Sequence, residues 1–278
     1  MEGRRKILKG VTALVLVVGI AVAGCAATSG SGDEASAASP QKKKAKGLPD
    51  EKNPQVQYER GAVALRYGLA DEAVRYGLLA VSLDPGHFDG WNLLGSAYYT
   101  KGDFAKAAEA YEKASAIKPQ APGVQRNLGL AYVELKETAK AEAALNKALE
   151  TEGDAETAYQ LGKLCYNGQR FEEALEYALS AIRKDGQSAK AYNLKGVTLN
   201  QLGRYAEAAG SFQAGIVLVP EDIGLRINLG IAYINAGEPA KAKAILEAVL
   251  PKITDAPLRA QVEEYLKSIK DAGNPTYS

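Results

Sequence analysis

Only one histidine, one tryptophan, one methionine and two cysteines are spread over the 278 residues of this chain. With His87 as the entire imidazole inventory, most metal sites and most Ser-His or Cys-His catalytic arrangements drop out at once. Cys25 and Cys165 lie far apart in unlike settings, so no disulfide framework follows. Phenylalanine is scarce as well, 4 against 15 tyrosines. That skew suits half-buried positions on helix surfaces better than a closed β core. An excess of charge of either sign is missing too. There are 34 basic and 33 acidic side chains, and 30 against 32 once the first 24 residues are set aside, which argues against nucleic acid as the main partner. Nothing has the form of paired catalytic carboxylates, a phosphate loop or a zinc ligand set, so no enzyme, cofactor or small-molecule substrate is expected. A hydrophobic share of 46% with 24% charged still places the chain among globular proteins.

The first 53 residues read as address and tether. Met1 to Lys9 carries Arg4, Arg5, Lys6 and Lys9, and Val11 to Gly24 is apolar or small, as in a signal peptide over 1–24. The run of 14 residues is short of the roughly 20 that a permanent span needs, so cleavage is expected. Val22, Ala23, Gly24 and Cys25 resemble the lipobox of bacterial lipoproteins. The resemblance implies diacylation of Cys25, cleavage before it and acylation of the new amine; the alternative is an ordinary secretory signal with a chance cysteine. Ala26, where inner-membrane lipoproteins commonly carry Asp, implies an outer-membrane location facing the periplasm. Residues 25–53 hold small, polar and charged side chains without apolar periodicity, as a disordered tether would. Their basic run, Lys42 to Lys44 and Lys46, is a solvated linker or a lipid or peptidoglycan contact.

Beyond the tether a period emerges. Gly61, Gly95, Gly129, Gly162, Gly196 and Gly230 recur at steps of 34, 34, 33, 34 and 34, and an alanine follows each by 12: Ala73, Ala107, Ala141, Ala174, Ala208 and Ala242. Such a period marks a solenoid. Trp91, Leu94, Gly95, Tyr98, Ala107, Tyr111, Ala114 and Pro119 resemble the tetratricopeptide pattern in full. The resemblance implies an all-α fold, a right-handed superhelix of about six helix-turn-helix repeats at 54–87, 88–121, 122–154, 155–188, 189–222 and 223–256. Gly95 and Ala107 are expected to face each other where two helices cross closely. Repeat three departs by placing Lys136 where the turn glycine belongs. Residues 257–272 put Leu258, Val262, Tyr265, Leu266 and Ile269 on one face, as in a capping helix, and leave a tail at 273–278. Trp91 and Cys165 are expected in the core, the latter as an inert thiol, and His87 as a solvated loop histidine.

In that family the first helix of each pair lines the concave surface. By register the groove would hold Asn92, Tyr99, Arg126, Asn127, Leu130, Tyr159, Lys163, Tyr166, Asn193, Val197, Asn200, Ile227, Asn228 and Ile231, with Leu93 and Leu194 at the same positions. An asparagine amide both donates to and accepts from a peptide backbone, while Tyr, Leu and Ile offer apolar pockets. A groove for an extended or helical protein segment is one reading; packing of the apolar members against neighbouring repeats is the other. Asn127→Ala with Asn193→Ala is expected to weaken partner binding and leave melting unchanged. The carboxylate clamp of chaperone-binding relatives has no counterpart in repeats one to three or four to six.

Lipobox and six repeats together resemble the type IV pilus assembly lipoproteins called pilotins. That family implies a protein partner, the secretin subunit, carried to the outer membrane and helped to multimerise. A general periplasmic scaffold for peptidoglycan hydrolases, proteases or polysaccharide-export components is the alternative.

Overall fold

A computed structural model describes residues 50–121, 123–151 and 153–273. The signal segment, Cys25, the tether to residue 49 and the tail from 274 lie outside them. The described chain divides into two compact units, residues 50–124 and 125–273. Thirteen α-helices and two short 3-10 turns make up the described residues, with no strand among them. No helix there is long and apolar enough to cross a membrane.

The first unit opens with a 3-10 turn at Asp50–Lys52 and carries α1 (Pro54–Arg66), α2 (Ala70–Leu83), α3 (Phe88–Thr100) and α4 (Phe104–Ile117). The second carries α5 (Val124–Glu134), whose first residue closes the first unit, α6 (Thr138–Thr151), α7 (Ala155–Asn167), α8 (Phe171–Lys184), α9 (Ala189–Gln201), α10 (Tyr205–Leu218), α11 (Ile223–Asn235) and α12 (Pro239–Val249). A 3-10 turn at Leu250–Lys252 then leads into α13 (Ala256–Gly273).

Local chemistry explains where these helices begin and turn. Asn53, Asp103, Asp154 and Asp222 each accept a hydrogen bond from a backbone N–H of the first turn they precede. His87 does the same for α3, its Nδ1 accepting from Gly90 N at 2.9 Å while Nε2 lies 3.3 Å from Gln55 Oε1. The expected solvated loop histidine is thus a half-buried helix cap. Inside every pair the turn passes through one left-handed residue: Gly68, Gly102, Lys136, Gln169, Gly203 or Gly237. Lys136 and Gln169 take that conformation with side chains attached, at a cost of about 1–2 kcal/mol each.

Close approach between helices depends on the periodic glycine. A Cβ on Gly129 or Gly162 would lie 3.3 or 3.4 Å from the carbonyl oxygen of the alanine 12 residues on. For Gly95 the nearest atoms are those of the Tyr111 ring, at 2.6 Å. Tyr111 stands 16 residues after its glycine, and Leu145, Phe212 and Leu246 fill the equivalent place over Gly129, Gly196 and Gly230, at 2.6, 2.5 and 2.7 Å. In the other two repeats that position holds Gly77 and Ala178, too small to reach. There a leucine from the next repeat's first helix takes the space: Leu93 over Gly61 at 2.5 Å, Leu194 over Gly162 at 2.7 Å. Each glycine is therefore covered once, by a large side chain from its own repeat or from the next one.

A second exchange concerns charge. Where the eleventh residue of a repeat is tyrosine (Tyr98, Tyr132, Tyr233), a lysine eight residues on sits over its ring, Lys106, Lys140 or Lys241 at 5.4, 5.1 and 5.3 Å. The same lysines pair with Asp103, Glu137 and Glu238. Where the eleventh residue is Cys165 or Leu199, the charges are reversed and Arg170 and Arg204 pair with Glu173 and Glu207.

Tyr111 is buried and its hydroxyl lies 3.0 Å from Ser96 Oγ. Burial pushes its phenol up to about 12. The folded state therefore keeps a proton that the unfolded chain gives up near pH 10. Stability from this group is complete below pH 10 and declines as pH rises through 12, by roughly 2–3 kcal/mol in all. Urea melts of Tyr111→Phe should show a shallower fall across that window than the parent; parallel curves would contradict this assignment. Trp91, expected in the core, is half-buried and donates from Nε1 to the Pro85 carbonyl at 2.9 Å.

The repeat series ends under α13. Its Val262 and Leu266 are buried together with Ile227, Ile231, Leu246, Val249 and Ile253, while Glu263, Glu264, Lys267 and Lys270 remain exposed. One face closes the last repeat and the other meets solvent.

Candidate peptide-binding groove

Hydrogen bonds tie the first helices of the second unit side by side. Gln201 Nε2 on α9 donates to Tyr166 OH on α7 at 3.3 Å, and Lys190 pairs with Glu156. Between α9 and α11, Asn228 Nδ2 donates to Asn193 Oδ1 at 2.9 Å and Asn235 Nδ2 to Asn200 Oδ1 at 3.0 Å. These amide rungs join positions 35 residues apart and fix one helix against the next.

The expected groove residues divide accordingly. Val197, Asn200, Ile227, Asn228 and Ile231 are buried, at 2 to 9% exposure, and do not line an open groove. Val197 packs with Leu194, Phe212 and Leu229, and Ile227 and Ile231 lie in the cluster that α13 completes. Leu93 and Leu194 are buried over their glycines. For all of these, packing against neighbouring repeats prevails. Asn193 remains half-buried but bonded to buried Asn228, so Asn193→Ala would strand an amide. The expectation that this substitution leaves melting unchanged fails on that ground.

What stays open in the second unit is Arg126, Asn127 and Leu130 on α5, Tyr159, Lys163 and Tyr166 on α7, and Asn193 on α9, all half-buried. Tyr159, Lys163 and Tyr166 recur at i, i+4 and i+7, which puts them on one helix face. Two ammonium groups flank the Tyr159 ring, Lys163 at 5.6 Å and Lys190 at 5.1 Å. Tyr166 meets the edge of Phe171 at 5.6 Å. Burial raises the phenols of Tyr159 and Tyr166 above the ordinary tyrosine range, which keeps both as neutral hydrogen-bonding groups at neutral pH. Arg126 pairs with Asp154. In the first unit Asn92 and Tyr99 are half-buried, with Tyr99 edge-on to Phe104 at 5.2 Å. Aromatic faces, amides and the Lys163 ammonium suit an uncharged or mildly acidic peptide segment.

A group with the outline of a metal site resolves differently. Ligand atoms of Glu142, Cys165 and Glu173 lie within 4.8 Å of one another. The Arg170 guanidinium occupies their midst, donating to both Glu142 oxygens at 2.9 Å and to Cys165 Sγ at 3.3 Å. The cation is thus supplied by the chain itself. Burial pushes the Cys165 thiol up to about 11, so it is protonated at neutral pH. Cys165 should react with a thiol reagent at pH 7.5 only after urea unfolding; rapid labelling of the folded chain would contradict this.

Sequence reasoning missed the asparagine rungs and the glycine-covering leucines. Their signal was present as Asn193/Asn228 and Asn200/Asn235 at a constant interval, and as small residues at 77 and 178 preceding Leu93 and Leu194.

Comparison with known proteins agrees with this architecture. Family models described as TPR repeat or tetratricopeptide repeat match residues 95–136, 127–154, 159–223 and 199–262. The TPR repeat-containing protein MJ1428 of Methanocaldococcus jannaschii is 27% identical over 187 residues, covering 63% of this chain and 33% of that protein. The chain spans between about a fifth and two fifths of the length of the curated relatives it matches. Among solved structures, PilF of Pseudomonas aeruginosa superposes with a TM-score of 0.66 at 16% identity, over 77% of this chain and 98% of that one. YrrB, described as having an unusual peptide-binding site, gives 0.58 at 20% over 68% and 97%. At these identities the likeness is one of fold. Residues 95–154 and 159–262 of this chain are therefore tetratricopeptide repeats.

Proposed function

We propose that this chain is a lipid-anchored scaffold of the bacterial outer membrane, whose groove holds a secretin subunit during type IV pilus assembly. Binding in the groove is the general business of tetratricopeptide repeats, and the observation that carries it here is the α7 face. Tyr159, Lys163 and Tyr166 stay half-open on a helix whose Thr157, Ala158, Leu161, Gly162, Leu164 and Cys165 are buried. The anchor rests on the sequence Val22 to Cys25, and the outer membrane on Ala26. Three acyl chains exceed the two signals that stable anchoring needs. Fold likeness to PilF supports the pilus assignment, as does the pairing of a lipobox-like sequence with a chain of repeats.

The test uses the full acylated chain, captured from membranes and washed in high salt. A secretin subunit should be retained by the parent and lost, by about tenfold or more, from Tyr159→Ala with Tyr166→Ala, since both rings contribute contact and each aromatic anchor is worth about 1–2 kcal/mol or more. Retention of peptidoglycan hydrolases instead would favour the general scaffold. Capture unaffected by the double substitution would remove the groove from the account. Mass spectrometry of the same material should find Cys25 at the mature N-terminus with its fatty acids; an unmodified Cys25 would overturn the anchor.

A further inference from the structure

Most charges on the first helices of the second unit are answered by the chain itself. Arg126 on α5 pairs with Asp154, and Lys190 on α9 pairs with Glu156, which also accepts from Gln160 Nε2 at 2.7 Å. Arg226 on α11 donates to the Pro220 carbonyl. Lys195 on α9 stands at the position of Leu128, Leu161 and Leu229, all buried, and so turns toward its own second helix, α10. There Arg204 by its hydrogen bond, and Lys195 by its charge, keep the Glu207 carboxyl below its ordinary range. Two groups are left. Glu134, the last residue of α5, is exposed, and its equivalents Gln201 and Asn235 reach back to the preceding first helix rather than on to the next. Lys163 on α7 takes part in no ion pair among the described residues, and its ammonium faces the Tyr159 ring at 5.6 Å.

The position of Lys163 is otherwise apolar in this unit. Leu130, Val197 and Ile231 occupy it in the other repeats, Val197 and Ile231 buried. An aliphatic side chain serves packing there, so a half-buried ammonium adds a desolvation cost without a structural return. A carboxylate brought by the bound segment supplies the missing counter-charge, in a charge-assisted hydrogen bond beside two aromatic rings. A phosphoryl group would call for a cluster of arginines, and Arg126 is already paired. Beyond residue 24 the chain has 30 basic against 32 acidic side chains, so no general field draws acidic peptides to it and the preference is local.

We propose that the segment held on α7 carries an aspartate or glutamate whose carboxylate accepts a hydrogen bond from Lys163 Nζ. Tyr159 and Tyr166 lie one helical turn to either side of Lys163, about 5–6 Å along the axis, so the acid has an apolar residue within about two positions of it. This rests on the groove reading above, and it gives the groove a sequence preference whichever protein carries the segment.

The test is selection of short random peptides, displayed on phage, by the full chain in lipid nanodiscs. Peptides retained by the parent and lost with Tyr159→Ala plus Tyr166→Ala are the groove ligands. They should be enriched in Asp or Glu at a fixed distance from an apolar residue. Lys163→Met, with its helical circular dichroism unchanged, should bind a parent-selected acidic peptide about fivefold more weakly, and its own selections should lose the acidic preference. Lys163→Glu should weaken that peptide further, and exchanging the peptide's acid for lysine should restore binding to this variant alone. Lys267→Met, on the exposed side of α13, should change nothing. Absence of any peptide that depends on the two tyrosines removes the groove and this proposal with it. Tyrosine-dependent peptides without acidic enrichment, or with affinity indifferent to Lys163, overturn the proposal and leave the groove reading in place.

Discussion

Replacing Leu194 with alanine is expected to destabilise the second unit by about 2–5 kcal/mol, the range for truncating a fully buried leucine. Leu194 is 4% exposed and its Cδ2 occupies the space directly over Gly162. The residue that fills this space in other repeats is here Ala178, so truncation leaves a void that nothing nearby can enter. Repeat five shows the alternative solution, with Phe212 over Gly196 and Asn228 at the position of Leu194. Transplanting it gives a sharper result. Ala178→Phe alone should clash with Leu194, and Leu194→Asn alone should leave the void with a polar group inside. The two together should cost less than the sum of the singles by about 1–3 kcal/mol, the coupling expected of residues that share one cavity. Additive urea-melt free energies would mean that the two positions do not compete for one space.

Two glycine-to-alanine substitutions, 14 residues apart, should move stability in opposite directions. On Gly196 a methyl group would lie 2.5 Å from the Phe212 ring, which is itself 1% exposed and has nowhere to retreat. Even after the helix-propensity gain of about 1 kcal/mol, overpacking leaves a net loss of about 1–3 kcal/mol. On Gly210, in α10, a Cβ meets nothing within 4 Å. There only the propensity gain remains, and Gly210→Ala should stabilise by about 0.5–1 kcal/mol. Melting temperatures shifted in the same direction by both would refute the glycine assignments.

Much of the fold could be read from residue intervals, because a helix pair that must approach closely needs a small residue at each crossing, whatever surrounds it. Gly61 to Gly230 and the alanines behind them therefore announced the pairs, and the apolar stripe from Leu258 to Ile269 announced the helix that closes them. The groove was less legible. A periodic register assigns exposure by position, yet Leu93 and Leu194 stand at an open position and are buried, since the pocket beneath them is vacated by Gly77 and Ala178 one repeat earlier. Exposure there depends on a contact between repeats, which no single-repeat pattern encodes. The same holds for the asparagines: Asn193 and Asn200 were read as free amides for a ligand, and their oxygens accept from Asn228 and Asn235 of the next first helix. Cys165 with Glu173 and Arg170 had a readable signal, the joint reversal of tyrosine, lysine and acid at three fixed positions, but its meaning needed the guanidinium in place.

The account stands on the α7 face as a seat for another polypeptide. Photo-cross-linking of the full chain in its native envelope, with the probe in place of Lys163 on that face or of Glu176 on the exposed side of α8, tests this most directly. A covalent adduct with a different polypeptide from position 163, and none from 176, is the predicted result. No adduct from 163, or the same adducts from both positions, would contradict it.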